Sequence, residues 1–415
     1  MQPTLTTPLP PFTERRYLLT FIFVVSLFML WGVGVTMGDI LNKHFQEVLH
    51  VSKADSALVQ LSIFGAYFVM GLPAGWFMKR FGYQKGVLLG LGLYALGAFL
   101  MVPAATALSF GYLRLALFVL ACGLATLEAV AHPFLDGLGD PRSSDRRINF
   151  AHAINGIGAV SGPLIGGYFV LRGTHAAGDL TSVKILYATI GAVVGSIGLA
   201  FFFVTVPALN AEHSPEALAF TESPTNLTAD KQLFQHRHFV WACVAQFFNT
   251  AAQGGTWAFF INYGVEYTGL TNDKAAYFFS LSLVGMMLGR FLGTYLMQFI
   301  APNRLLAAVA VANIGMCLVV AQHWGLVSFV ALILLNLFFS IMFPTIYSLG
   351  LKDLGRHKQL ASSFIVMGVV GAALFPRLMG LVANTSVAHA YYLPIICYVV
   401  VFLFGIRLYK VDRAA

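Results

Sequence analysis

Charge is what this sequence has least of. Only 10% of its 415 residues are Asp, Glu, Lys or Arg, against roughly one-quarter in soluble globular domains. That scarcity excludes an ordinary water-soluble domain. Cysteine is also sparse. Cys122, Cys243, Cys317 and Cys397 lie in apolar runs with no CxxC spacing, so neither a disulfide nor a metal site is expected. The chain has no phosphate-cradling glycine loop, no nucleophile set beside a base and no metal-spaced His/Cys/acid cluster, so no enzyme and no cofactor are expected. No short apolar stretch with a small-residue cleavage site opens the chain, so the first apolar run is expected to be retained.

What is abundant is apolar, at 58% of the chain. Runs of about 20 apolar residues, the length a helix needs to cross a bilayer, recur from Tyr17 to Leu408. Twelve spans are expected: 17–42, 54–78, 84–104, 110–138, 147–171, 183–207, 238–264, 274–299, 304–322, 325–350, 360–383 and 390–409. The fold class is therefore an all-α polytopic membrane protein whose main partner is the lipid bilayer. The 40 glycines suit close helix packing.

The net charge of +8 reports orientation rather than nucleic-acid binding, which is not expected. Arg15, Arg16, Arg80, Lys85, Arg142, Arg146, Arg237, Arg304, Lys352, Arg356, Arg407 and Lys410 fall on one side of a twelve-span arrangement. The other side has mainly Lys43, Lys53, Arg172, Lys184 and Lys274. The positive-inside rule then makes both termini cytoplasmic, in a cell inner membrane.

One long polar stretch, with Pro215, Pro224, Glu216 and Asp230, has the composition of a linker. It divides the chain into a tail (1–16), a six-helix bundle (17–207), a cytoplasmic linker (208–237), a second six-helix bundle (238–409) and a final tail (410–415). The Asn226-Leu227-Thr228 triplet matches a glycosylation pattern but falls on the cytoplasmic side, which discounts it. A weak repeat supports the division. Gly71 and Gly75 precede Gly289 and Gly293 by 218 residues; Pro133 precedes Pro344 by 211 and Gly158 precedes Gly368 by 210. Parallel repeats of this kind describe the major facilitator architecture, with substrate bound between the halves near the midplane. The turn from Gly75 to Lys85 is similar to the loop signature of that superfamily, although Lys79 stands where an acid is usual.

Two acids interrupt the apolar runs. Glu128 lies mid-run and Asp39 late in the first run. A charge at the bilayer centre costs about 2.5–3.5 kcal/mol on insertion scales, so each is a functional candidate by default. Two such acids in different helices suggest proton or ion movement coupled to a second solute. His132 follows Glu128 by four and shares its helix face. The pair reads either as a proton-accepting site tuned by the histidine or as polar lining of a wet cleft. Asp39 reads also as an interfacial partner of Lys43. On the seventh run Gln246, Asn249 and Gln253 form one stripe that Trp257 extends by a turn. Amides and an aromatic face suit a sugar, whose hydroxyls need paired donors and acceptors. Interhelical hydrogen bonding is the alternative. On the tenth run Asn336, Ser340 and Phe343 share a face with the same two readings, and Trp31 is a further candidate contact.

Leu30-Trp31-Gly32, Gly38-Asp39-Ile40-Leu41, the segments Gly123 to Phe134 and Arg147 to Ala159, Gln246, Gly289 to Thr294, Pro344 to Gly355 and Ser362 to Gly368 resemble the L-fucose–proton symporter family, also called the fucose–galactose–glucose–proton symporter family. The resemblance covers nearly the whole chain. It implies that Asp39 and Glu128 are essential acids, one coupled to the proton and one close to sugar, and that Asn155 contacts sugar. Four positions depart from the pattern. His132 stands for an asparagine, His152 for a glutamine of the sugar site, Phe343 for a hydroxyl-bearing aromatic, and Asn262 for an arginine of the fucose branch. The expectation is a monomeric proton-coupled symporter that imports a monosaccharide, L-fucose or a related hexose, by alternating access. Sodium coupling, proton-driven export of amphipathic compounds and sugar reception without transport are the competing readings.

Overall fold

A computed structural model describes residues 13, 17–136, 138, 144–171, 179–203, 233–297, 299–354 and 358–411. Most of the expected linker and the Asn226 triplet lie outside the described residues. So do several helical side chains, among them those of Lys79 and His132. The chain is helical throughout the described residues. The first half runs α1 (Leu18–Val48), the short α2 (Lys53–Ser56), α3 (Leu58–Phe81), α4 (Tyr83–Thr106), α5 (Phe110–Asp136), α6 (Ser144–Phe169) and α7 (Thr181–Phe202). The second runs α8 (Arg237–Thr268), α9 (Asn272–Leu296), α10 (Pro302–Ala321), α11 (Leu326–Phe339), α12 (Met342–Gly350), α13 (Lys358–Met367), α14 (Gly371–Ala383), α15 (Val387–Ala390) and α16 (Leu393–Leu403).

Ten spans among the described residues are long and apolar enough to cross a membrane. The other two of the twelve expected spans correspond to α6 and α8. Both are long, at 26 and 32 residues, but amides, histidines and glycines dilute their apolar content. A helix can carry such residues across a bilayer where it faces protein rather than lipid. The two spans of lower apolar content are thus helices that carry candidate site residues.

Two expected single spans are broken near their middles. The tenth splits between α11 and α12 at Ser340 and Ile341. Pro344 has no N–H, so the Ser340 carbonyl loses its helical partner four residues on. The Ser340 hydroxyl meanwhile donates back to Leu337 O at 2.6 Å. The eleventh splits at a 3-10 turn, Gly368–Val370, between α13 and α14. There the Thr250 hydroxyl donates to Gly368 O at 2.7 Å, satisfying a carbonyl at the break.

Each half has its own apolar core, but the cores are not cleanly separated. Ile261, Ala275 and Ala276 of the second half join the first core, and Ala57 of the first joins the second. These exchanges sit at one end of the molecule. It is the end opposite Arg80, Lys85, Arg304, Lys352 and Lys410, here called the far end. Polar contacts across the halves cluster there too. Asn42 donates to Ala258 O at 2.7 Å, Asn262 to Gln46 Oε1 at 2.6 Å, and Asn272 to Glu47 at 2.8 Å. Lys53 meets Glu266 at 2.5 Å, and the Ala54 N–H donates to Asn384 Oδ1 at 3.4 Å. The far end is shut. Towards the basic end, Gly71 and Gly75 of α3 have no atom within 4 Å of where a Cβ would stand. Their repeat counterparts Gly289 and Gly293 are packed against α11 and Ile341.

Candidate functional site

The first half builds the tighter constellation. Helices α1 and α6 cross closely because Gly32 and Gly158 lack side chains; a Cβ on either would collide with the backbone of the other helix. That approach sets Asn155 against α1, where its Nδ2 donates to Phe28 O at 2.9 Å. One turn earlier on α6, His152 meets the rings of Phe28 (centroids 5.4 Å) and Trp31 (6.5 Å). Trp31 Nε1 donates to the Tyr67 hydroxyl from α3.

Glu128 on α5 completes the group. With Leu27, Phe28, Trp31, Leu127 and Ala131 it lines a small recess with room for about one water molecule. Its charge is within electrostatic reach of Tyr67. An acid, three aromatic rings, an imidazole and an amide are thus linked from four helices. Such a set can bind a hydroxyl-rich ring by stacking and hydrogen bonds. His132 lies one helical turn beyond Glu128 on α5, and its side chain is outside the described residues.

Asp39 does not share this recess. It lies eight residues beyond Trp31 on α1, about 12 Å at 1.5 Å per residue. It is 4% exposed, and Gln60 Nε2 of α3 donates to its Oδ1 at 2.6 Å. Lys43, the other partner open to it from the sequence, instead meets Glu47 at 3.1 Å.

The second-half residues behave differently. Trp257 Nε1 donates to Asn336 Oδ1 at 2.8 Å, and Asn336 Nδ2 donates in turn to Ser282 Oγ. In this conformation those groups tie α8, α11 and α9 together, which is the interhelical role set beside sugar contact above. Gln246 and Asn249 are fully buried, and their amide atoms find no partner among the described residues. The Gln246 methylenes lie against Gly368, at the break in the eleventh span. Gln253 and Phe343 are half-buried. Asn262 spends its amide on Gln46 across the halves.

Reading the sequence missed Tyr67, Phe28, Gln60 and Ser282. A signal for two of them was present. Gln60, Phe64 and Tyr67 recur at i, i+4, i+7 on the second span, as one polar-aromatic stripe. Among the described residues no group of three or more His, Cys, Asp or Glu is placed to hold a metal.

The Major Facilitator Superfamily profile matches residues 18–376. The chain belongs to that superfamily. Within it, the chain is 34% identical to the L-fucose-proton symporter of Escherichia coli K12, covering 94% of this chain and 93% of the relative. It is 30% identical to the glucose/galactose transporter of Brucella abortus, covering 95% of each. A crystal structure of a superfamily transporter in the outward conformation superposes with a TM-score of 0.67 at 33% identity, covering 95% of this chain and 100% of that one. A D-xylose-proton symporter shares the fold, with a TM-score of 0.71 at 13% identity, covering 94% of this chain and 98% of that one. The protein is a multi-pass membrane sugar transporter of this superfamily, not an enzyme.

Proposed function

We propose that this protein carries a monosaccharide and a proton together into the cell by alternating access across an inner membrane. The observation that carries the reading is the recess at Glu128, where a carboxyl within the membrane shares its walls with Phe28 and Trp31, the residues that His152 and Asn155 in turn contact. The basic residues assign their end to the cytoplasm and the shut far end to the outside. The structure is then the inward-facing counterpart of the relative solved in the outward conformation. Asp39, lying towards the outside, and Glu128, in the recess, divide proton coupling and sugar contact between them. The halves on either side of the linker act as the two moving bodies, and the chain works as a monomer.

A protonated carboxyl is neutral, so the loaded carrier changes conformation without burying a bare anion. Releasing sugar and then the proton to the more alkaline side resets it. The drive is adequate. A proton-motive force on the order of 150 mV supplies roughly 3.5 kcal/mol at 2.3 kcal/mol per 100 mV. At 1.4 kcal/mol per decade that sustains about 300-fold accumulation.

The test is a panel of radiolabelled hexoses, L-fucose, D-galactose and D-glucose among them, in proteoliposomes with an imposed pH gradient. Accumulation of one sugar that collapses with a protonophore and ignores sodium is the expected result. Sodium-dependent uptake at fixed pH, or extrusion of amphipathic compounds with no sugar uptake, would replace this reading.

A further inference from the structure

Asp39 has one hydrogen-bond partner among the described residues, and it is a carboxamide. Gln60 is 1% exposed and sits in the first turn of α3, its backbone N–H bonded to Ala57 O at 3.1 Å. Its side chain is therefore held at a fixed point on a helix. Val59 and Ile63 of the same helix pack on Gly38, next to the acid. The other ionisable groups on elements packed against α1 are engaged or distant. Lys43 is bonded to Glu47 and Lys53 to Glu266; Asp55 is bonded to Ser52; Arg114 lies over the Phe110 ring. His44 follows Asp39 by more than one turn on the same helix, while Tyr67, Glu128 and His152 gather at the recess.

We propose that Gln60 is the positioning residue of Asp39, the group that lets this carboxyl be buried both with and without its proton. A carboxamide presents a donor and an acceptor on one planar end. Towards the ionised acid its N–H donates to a carboxylate oxygen, as seen at Oδ1. Towards the protonated acid the same N–H holds the carbonyl oxygen while the acid O–H donates to Gln60 Oε1. A lysine at this place would serve only the anion, and an apolar residue would serve neither form. A symporter passes through a closed state twice per cycle, once loaded and once empty. A partner competent in both states leaves neither passage with an unsatisfied buried carboxyl.

The inference rests on Asp39 being a coupling acid, so its test runs two substitutions side by side in proteoliposomes. Gln60→Met keeps length and apolar volume but removes both hydrogen-bonding atoms. Sugar counterflow at equal pH, which needs no proton release, should stay within about twofold of the unmodified protein. Accumulation driven by a pH gradient should fall about tenfold or more, with a displaced pH profile. Gln60→Glu should recover accumulation only at acidic pH, where a protonated second carboxyl again offers both a donor and an acceptor. Unchanged accumulation and pH profile in Gln60→Met would overturn the proposal. So would equal loss of counterflow and accumulation in both Gln60 variants, the mark of a purely structural role. If Gln60→Met does not fold, the pH dependence of Gln60→Glu decides alone. Asp39→Asn separates the two layers: normal accumulation there defeats the coupling role itself. Loss of accumulation there, with none in Gln60→Met, defeats only the role of Gln60.

Discussion

Glu128 and Asp39 occupy different levels of the same membrane-spanning bundle, and this separation shapes what their substitution should do. Glu128→Gln and Asp39→Asn each mimic the protonated acid and cannot release a proton. Both should abolish concentrative uptake, while at least one should still exchange labelled for unlabelled sugar. Counterflow and gradient-driven uptake measured on the same vesicles check this, and full accumulation in both variants would remove the carrier role from these acids. Asn155 already gives one donor to Phe28 O, so in the proposed sugar contact it would act as a group fixed in place. Asn155→Ala should weaken sugar binding by about 0.5–1.5 kcal/mol, or roughly 2- to 12-fold in Kd, read by calorimetric titration. Gln253 and Asn249 are expected to fall in the same range, and His152→Gln to change which sugars compete. At this scale the sequence exposed its acids, because an ionisable residue in an apolar run stands out on cost alone. It hid Tyr67 and Phe28, because aromatic residues in a membrane helix are common and only contact shows which ones meet an acid.

Helices are where small residues decide the geometry. A methyl group on Gly32 or Gly158 meets backbone that cannot move aside, whereas one on Gly92 meets nothing within 4 Å. Gly32→Ala and Gly158→Ala should therefore cost about 1–3 kcal/mol from overpacking, seen as a lower midpoint in thermal unfolding of the detergent-purified protein. Gly92→Ala should leave that midpoint unchanged or raise it slightly, through lost freedom in the unfolded chain. Equal behaviour of the three variants would mean that the α1–α6 crossing tolerates separation. Helix number and order were legible because bilayer thickness fixes the length of an apolar run. The breaks at Ser340–Ile341 and Gly368–Val370 were not. Pro344 and the glycines around Val369 and Val370 permit a break; the Ser340 hydroxyl turns back on Leu337 O within its own span, whereas the Thr250 hydroxyl that caps Gly368 O comes from another helix that only the fold brings near. Nor did the amide stripe declare its partners. Asn336 and Trp257 satisfy one another here, and only the folded chain shows that pairing.

For the whole molecule, the decisive feature is where the halves touch. Among the described residues, Lys53 and Glu266 form an ion pair that bridges them at the far end, with side chains 21% and 32% exposed. Pairs of that exposure contribute about 0.2–1 kcal/mol, enough to move a conformational equilibrium up to about fivefold. Lys53→Glu or Glu266→Lys alone should favour opening of the far end, and the two together should restore closure. Spin labels at Asp55→Cys and Thr385→Cys, both exposed on opposite halves, should report the wider distance in the single variants only. If the double variant stays open, the contact is incidental to closure.

That same seam has a consequence for the environment the transporter faces. Apart from Lys53–Glu266, its bonds run through the carboxamides of Asn42, Gln46, Asn262, Asn272 and Asn384, with Glu47 as the one charged acceptor among them. Mobile ions screen charges over about 8–10 Å at physiological strength, but they have little hold on a neutral amide. The amide part of this seal closes equally well in fresh water and in brine, which leaves only the Lys53–Glu266 contribution, up to about fivefold, for salt to screen. The transporter's external affinity for sugar should accordingly vary within that factor as the salinity around the cell rises and falls.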